Sequence, residues 1–280
     1  MTDYQDDERE FLEAKATEWG FKDKCKLVFV ERFVADNDDL DNEALADVLK
    51  DNLLEGAKKD PVPAHILRDY LRQIFRKLEA VGCDFNGATK DKRHIAKPWL
   101  RDIIYPEWLR ESLWQQLKAK GTRTNQMGPV LVEPQPIPHL GLLHPEPMLY
   151  RDTVPQGSKI EIHLNVDRKG YLILLEREPS GVVFCVCPSQ YAPDWRHQGE
   201  LTVLPQFPPS PHSSFAATEV GCEQLLAVIA PEFPPLEWLA RSLVRALELD
   251  KNHLNELLDY LECTPNSHVF YTEYTVRPSL

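Results

Sequence analysis

The chain has 280 residues, 42% of them hydrophobic, enough material for about two domains with a core each. Against 32 Lys and Arg stand 44 Asp and Glu, and the net charge of -12 speaks against a protein that coats nucleic acid or sits on a membrane through a general basic surface. Six cysteines, no charged-then-apolar leader and no apolar run near the ~20 residues of a membrane span predict a cytoplasmic protein with reduced thiols.

The charge is unevenly spread. Residues 1–57 carry a net -10, residues 58–124 a net +7 and residues 125–280 a net -9. Exposed charges further apart than about 8 Å are largely screened at physiological salt, so the middle block can present a basic face on an acidic chain.

The first half reads as helices. Asp3 opens an acidic helical run that Gly20 is placed to stop. Cys25 to Val34 mixes strand-favouring residues with helical surroundings and is assigned to helix. Asp41 or Asn42 can cap a short helix bearing Leu45, Val48, Leu49 and Leu53. A longer helix starts at Pro63 and runs to about Val81 before Gly82, with Leu67, Leu71, Ile74, Leu78 and Val81 as its buried stripe. Arg68, Arg72 and Arg76 lie within about 80° of one another on a different face, with Gln73 and Lys77 beside them. Lys90, Lys92, Arg93, His94 and Lys97 form an expected basic loop. Pro98 then begins a helical segment in which Trp99, Trp108 and Trp114 serve as core anchors.

Residues 42–81, from the segment Asn42-Glu-Ala-Leu-Ala-Asp-Val-Leu49 through the Arg-bearing helix, resemble a helix-turn-helix. They depart from that pattern because about a dozen residues, rather than three or four with a glycine, follow Leu49. The resemblance implies a recognition helix offering Arg and Gln to base edges while nearby lysines neutralise phosphates.

Seven prolines between Gly121 and Gly157 forbid helix and predict a linker over residues 121–152. From Ser158 the apolar period changes to two: Ile160, Ile162, Leu164 and Val166 alternate with polar residues. Strands are predicted at Tyr171 to Leu175, Val182 to Cys187, Leu201 to Leu204, Ser214 to Ala217, Glu223 to Ala230 and Val269 to Val276. Two helices, about Pro235 to Leu249 and Lys251 to Leu261, precede the last strand. The expected fold class is α+β in two domains: an all-α, helix-turn-helix-like domain over 1–120, and an antiparallel β-sandwich-like domain with two added helices over 153–280.

The ordered turns Val154-Pro-x-Gly, Asp167-Arg-Lys-Gly170-Tyr171, Gly181-x-Val, Tyr191-Ala-Pro, Gly199-Glu-Leu-Thr-Val-Leu-Pro205 and Gly221-x-Glu-Gln-Leu-Leu resemble a bacterial β domain of unknown function. Such domains are appended to caspase-like peptidases, Ser/Thr kinases and other signalling proteins. The resemblance spans residues 154–231 and implies an accessory, non-catalytic role with no active-site residue.

A search for catalytic chemistry finds little. Cys185 and Cys187, two apart on a strand, are expected to point together into the core, which disfavours a zinc site with His197 and Cys222. Asp36 to Asp41 lacks the sixth-position glycine and twelfth-position glutamate of a calcium loop. The His residues are scattered, and no Gly-rich phosphate loop occurs. No metal, cofactor or catalytic set is therefore expected, although an undetected hydrolase is the remaining enzymatic reading.

The first functional expectation is a non-catalytic bacterial regulator that contacts DNA through Arg68, Arg72, Gln73, Arg76, Lys77, Lys90, Lys92, Arg93 and Lys97, while the β domain binds a partner or signal. The alternative is an adaptor that recruits protein partners within a signalling or defence assembly, with self-association among its options. Tyr191 and Trp195 are expected to form an aromatic platform on the β domain.

Overall fold

The computed structural model describes residues 4–51, 64–88, 91–132 and 150–279. The architecture is α+β, with helices first and a mostly antiparallel β region after them. The chain divides into two compact units, residues 1–109 and 110–280. Among the described residues, no helix is long and apolar enough to cross a membrane.

The helical unit contains α1 (Tyr4–Glu18), α2 (Asp23–Phe33), a 3-10 turn (Ala35–Asn37), α3 (Asn42–Asp51), α4 (Ala64–Ala80), α5 (Lys92–Trp99) and a π turn (Leu100–Ile104), from which α6 (Tyr105–Ala119) continues. Cys25 to Val34, ambiguous in propensity, is helical because its apolar residues meet three neighbouring helices: Val28, Phe29, Val30 and Phe33 are all buried. The stripe of α4 behaves as its period requires, with Leu67, Ile74 and Leu78 buried and Leu71 half-buried. Two carboxylates enter this core: Glu8, which accepts from the Ala35 backbone N–H at 2.7 Å, and Glu31. Glu31 is buried, but Arg9 meets both its carboxylate oxygens, at 2.7 and 3.3 Å, and the Asn37 amide donates to it at 3.0 Å. Such pairing offsets the cost of removing a carboxylate from water. Pro63 lies outside the described residues.

The expected basic loop is corrected in part: Lys92, Arg93 and Lys97 sit on α5, and Pro98 falls in the last turn of that helix. A proline there removes one backbone donor, and the wider π turn that follows accommodates the lost hydrogen bond.

The β unit is a two-sheet sandwich. Its strands are β1 (Thr122–Arg123), β2 (Met127–Leu131), β3 (Thr153–Pro155), β4 (Lys159–Leu164), β5 (Lys169–Arg177), β6 (Val183–Cys187), β7 (Arg196–Gln198), β8 (Thr202–Leu204), β9 (Phe215–Ala216), β10 (Gly221–Ala230), β11 (Leu247–Glu248) and β12 (His268–Arg277). The larger sheet runs β1-β12-β10-β5-β6-β11, with β3 also on β12 and β7 on β5; the smaller runs β2-β4-β8, with β9 on β4. Ile160, Ile162 and Leu164 of β4 meet Leu172 and Leu174 of β5, Leu225, Ala227 and Ile229 of β10, and Tyr274 and Val276 of β12 in one core.

The apolar run through β5 has a physical cause, since both faces of its sheet are buried. Ile173, Leu175, Leu226 and Val228 face away from the inter-sheet core and are also fully enclosed. Part of α6 covers that second face: Trp114 donates to Gln224 at 2.5 Å, Lys118 pairs with Glu273 at 2.5 Å, and Arg177 pairs with Glu111. Two short helices, α7 (Trp238–Ser242) and α8 (Lys251–Cys263), complete the unit.

Three expectations change here. The linker predicted from residue 121 contains β1 and β2 at its start. Pro129 sits in β2, an edge strand, where a missing backbone donor is tolerated; residues 133–149 lie outside those described. The helix predicted from Pro235 to Leu249 is only α7, because Leu247–Glu248 pair with Cys185 and Phe184 as β11. Finally, a bulge in the β5–β6 pairing separates the two cysteines. Cys187 opposes Leu174 and lies between the sheets, whereas Cys185 opposes Leu175 and contacts Ser242 of α7.

Candidate interaction surfaces

Helix α4 positions the predicted cations on two surfaces. Arg68, Arg72 and Arg76 are exposed and line a groove of about 500 Å3 with Glu79, Ala88 and Lys92, over a floor of Leu71 and Phe75. Four-residue spacing on a helix brings successive Arg side chains about 6 Å apart along one wall. Arg72 lies 3.2 Å from Asp69, but both partners are about two-thirds exposed, and such a contact leaves the guanidinium available. Lys92 lies 4.6 Å over the Phe85 ring, which fixes its ammonium at the groove margin.

Gln73 and Lys77 face a different concavity, of about 730 Å3, lined also by Trp19, Phe21, Lys22, Lys24, Cys25 and Tyr70. Arg93 and Lys97 belong to neither. Both are mostly buried against Asp38, at 2.7 and 2.5 Å. Although partial burial works the other way, the hydrogen bonds from Lys97 and Arg93 hold the Asp38 carboxyl below the usual carboxylate range. In the acidic turn over Asp36 to Asp41, Asp38 therefore binds cations of its own chain. Lys90 lies outside the described residues. The predicted cation set thus contracts to Arg68, Arg72, Arg76 and Lys92 around one groove. Its apolar floor is not legible from the sequence pattern, because Leu71 belongs to the helix's core stripe and Phe75 falls outside that stripe.

The expected pair Tyr191 and Trp195 does not form one platform. Tyr191 packs on Phe215 at 5.0 Å and His212 at 4.9 Å. Trp195 instead forms an edge-to-face trio with Tyr171 at 5.3 Å and Phe233 at 5.1 Å, and Arg196 stacks on Tyr171. Phe233 is 64% exposed and joins Trp195, Pro234, Leu236, Leu239 and Leu243 around an apolar hollow of about 480 Å3. No periodic signal marks Phe233, which lies in an irregular stretch after β10.

A third cluster lies at one end of the sandwich core. Tyr274 donates to Glu223, and the Glu176 carboxyl lies beside both. Burial, then the nearby Glu223 and Glu178 charges, push Glu176 up to about 8; Glu223 is raised chiefly by burial. Both carboxyls are thereby biased towards their protonated forms. Period two marks these positions, since Glu176 continues Leu172 and Leu174, and Glu223 precedes Leu225, Ala227 and Ile229. An acid at an inward position was the available signal.

The thiol chemistry is quiet. Burial pushes Cys185 up to about 12 and Cys187 well above the ordinary thiol range. His197 is held by Thr202 at 2.8 Å and the Val166 carbonyl at 2.9 Å. Among the described residues, no group of three or more His, Cys, Asp or Glu could hold a metal ion.

Residues 153–232, from β3 to just beyond β10, match the family described as "Domain of unknown function (DUF4384)". No curated protein matches the chain. Among solved structures, Pseudomonas fluorescens alkylpurine DNA glycosylase AlkC, bound to DNA containing an abasic site analog, aligns at 12% identity over 77% of this chain. The alignment spans 60% of that protein's chain with a TM-score of 0.15, too small a likeness to define a shared fold.

Proposed function

We propose that the chain is a non-catalytic adaptor of a bacterial signalling or defence assembly, whose helical unit receives an acidic, partly apolar protein segment in the α4 groove. One observation carries this reading: the Arg68, Arg72, Arg76 and Lys92 cations surround an apolar floor made by Leu71 and Phe75. A phosphate backbone uses only the cations, whereas an amphipathic acidic helix uses the cations and the floor together. The pairing of Arg93 and Lys97 with Asp38 weakens the DNA reading, since those side chains were to neutralise phosphates. The β unit supplies a second contact through the Trp195 and Phe233 hollow. That is the accessory role its resemblance to domains appended to caspase-like peptidases and kinases implies.

The second reading, a regulator that contacts DNA, rests on the regular spacing of the three arginines along an exposed helix face. Fluorescence anisotropy of the full chain, titrated in parallel against an Asp/Glu-rich amphipathic peptide and random duplex DNA at two salt concentrations, separates the two. Peptide binding that falls roughly tenfold or more when Arg68, Arg72 and Arg76 become Ala supports the adaptor, at about 1.4 kcal/mol per tenfold. Salt-steep duplex binding lost in the same variant, with no peptide binding, replaces it with the regulator.

A further inference from the structure

We propose that the acidic segment received by the α4 groove belongs to a second copy of this chain, which presents the surface formed by the 3-10 turn and the outer face of α3. This inference rests on the adaptor reading and names its partner.

Several acids of the 3-10 turn and α3 remain exposed after internal pairing. Asp38 is taken up by Arg93 and Lys97, but Asp36, Asp39 and Glu43 around it are exposed. The helix that follows buries Leu45, Ala46 and Leu49, and on its outer side Glu43 stands beside the half-buried Ala44 and Val48. At 100° per residue, residues 43, 44 and 48 fall within about 140° of arc, so acid and apolar surface adjoin on one face. The α4 groove has the matching composition in the opposite sign: Arg68, Arg72, Arg76 and Lys92 beside Leu71 and Phe75, with Glu79 as its acid.

The sequence distributes charge in the same way. The segment that carries α1 to α3 has a net charge of -10 and the next a net +7, so one molecule presents both partners of the contact. Because the donor surface and the receiving groove are different patches, the contact is heterologous and continues from copy to copy. Electrostatic complementarity gives it orientation and strong salt dependence, while Leu71 and Phe75 supply the apolar burial that a purely charged contact lacks.

Sedimentation velocity of the full chain across a concentration series, at low and at physiological salt, tests the proposal. The expected result is a weight-average mass that rises beyond two copies with concentration and falls when salt is added. Arg68→Ala/Arg72→Ala/Arg76→Ala and, separately, Asp36→Asn/Asp39→Asn/Glu43→Gln each shift the midpoint of assembly at least roughly tenfold, and an equimolar mixture of the two variants recovers a complex of two chains through the one intact pair of faces. All six positions are exposed, and an unchanged circular dichroism spectrum establishes that the variants fold. A chain that stays monomeric at low salt, or assembly indifferent to both variants, overturns the proposal. If the chain is monomeric while the arginine variant still loses the amphipathic acidic peptide, the adaptor reading stands and its partner is another protein; if peptide binding is absent as well, both fall.

Discussion

Glu176 and Glu223 show how a single residue changes the conditions under which the β unit is stable. A carboxyl held near 8 in the folded chain binds a proton that the unfolded chain releases near 4.5, so folding is coupled to proton uptake between those values. The sign follows: stability from this group is complete below about pH 4.5 and is lost as pH climbs through 8. Thermal unfolding followed from roughly pH 6 to pH 9 is expected to show Tm falling by several degrees. In Glu176→Gln that decline flattens and the midpoint at the alkaline end rises, because the amide retains hydrogen bonds without a charge to bury. A Tm independent of pH in the native chain would mean that the two carboxyls are solvated when ionised. Tyr274 is also held strongly towards its protonated form, first by burial and then by both glutamates, so it remains a donor across this window.

At the scale of elements, the second half of α6 is tied to the β unit by side chains from both ends of its length. Trp114 is fully enclosed, Leu113 and Leu117 are buried with it, and two ion pairs flank the indole contact to Gln224. Trp114→Ala is expected to destabilise by about 3–5 kcal/mol, and Trp114→Phe by about 1–2, since Phe keeps most of the volume but leaves Gln224 without its donor. Urea unfolding of both variants, compared through their midpoints at constant slope, measures the difference. The sequence made these elements unequally legible. The α4 stripe and the alternation of β4 were readable because one buried face imposes a single period. β5 read as a strand but not as one covered on both sides, since a continuous apolar run has no period. The helix expected over Pro235 to Leu249 failed for a related reason: Leu239, Leu243 and Leu247 recur every four residues as a helical stripe would, and only pairing with β6, distant in sequence, makes the end of the segment extended. The α4 cations were visible as a face, whereas the pairing of Arg93 and Lys97 with Asp38 joins residues 55 and 59 positions apart and no local pattern announces it.

For the whole molecule, the division at Leu109 rather than near residue 120 moves a buried aromatic residue from one unit to the other. Fragments test where the boundary lies. A chain of residues 110–280 is expected to unfold in one cooperative transition. A chain of residues 121–280, cut at the boundary suggested by proline content alone, loses Leu113, Trp114 and Leu117 and unfolds at markedly lower urea, by several kcal/mol on the scale of about 5–15 that domains possess. Equal midpoints would return the boundary to the proline-rich stretch.

The route of the chain between β2 and β3 has a consequence for what the fold tolerates. Val132 donates to the Lys159 carbonyl, and Arg151 donates to the Pro129 carbonyl at 3.0 Å, so the path leaves and re-enters the sandwich at neighbouring points. A segment whose two ends are already held together can grow at an entropic cost of only about 0.6 kcal/mol for each doubling of its length. Where the chain leaves the sandwich after Val132 and rejoins it at Arg151, both ends are tied to the same sheet, so β2 holds its register on β4 through its own pairing.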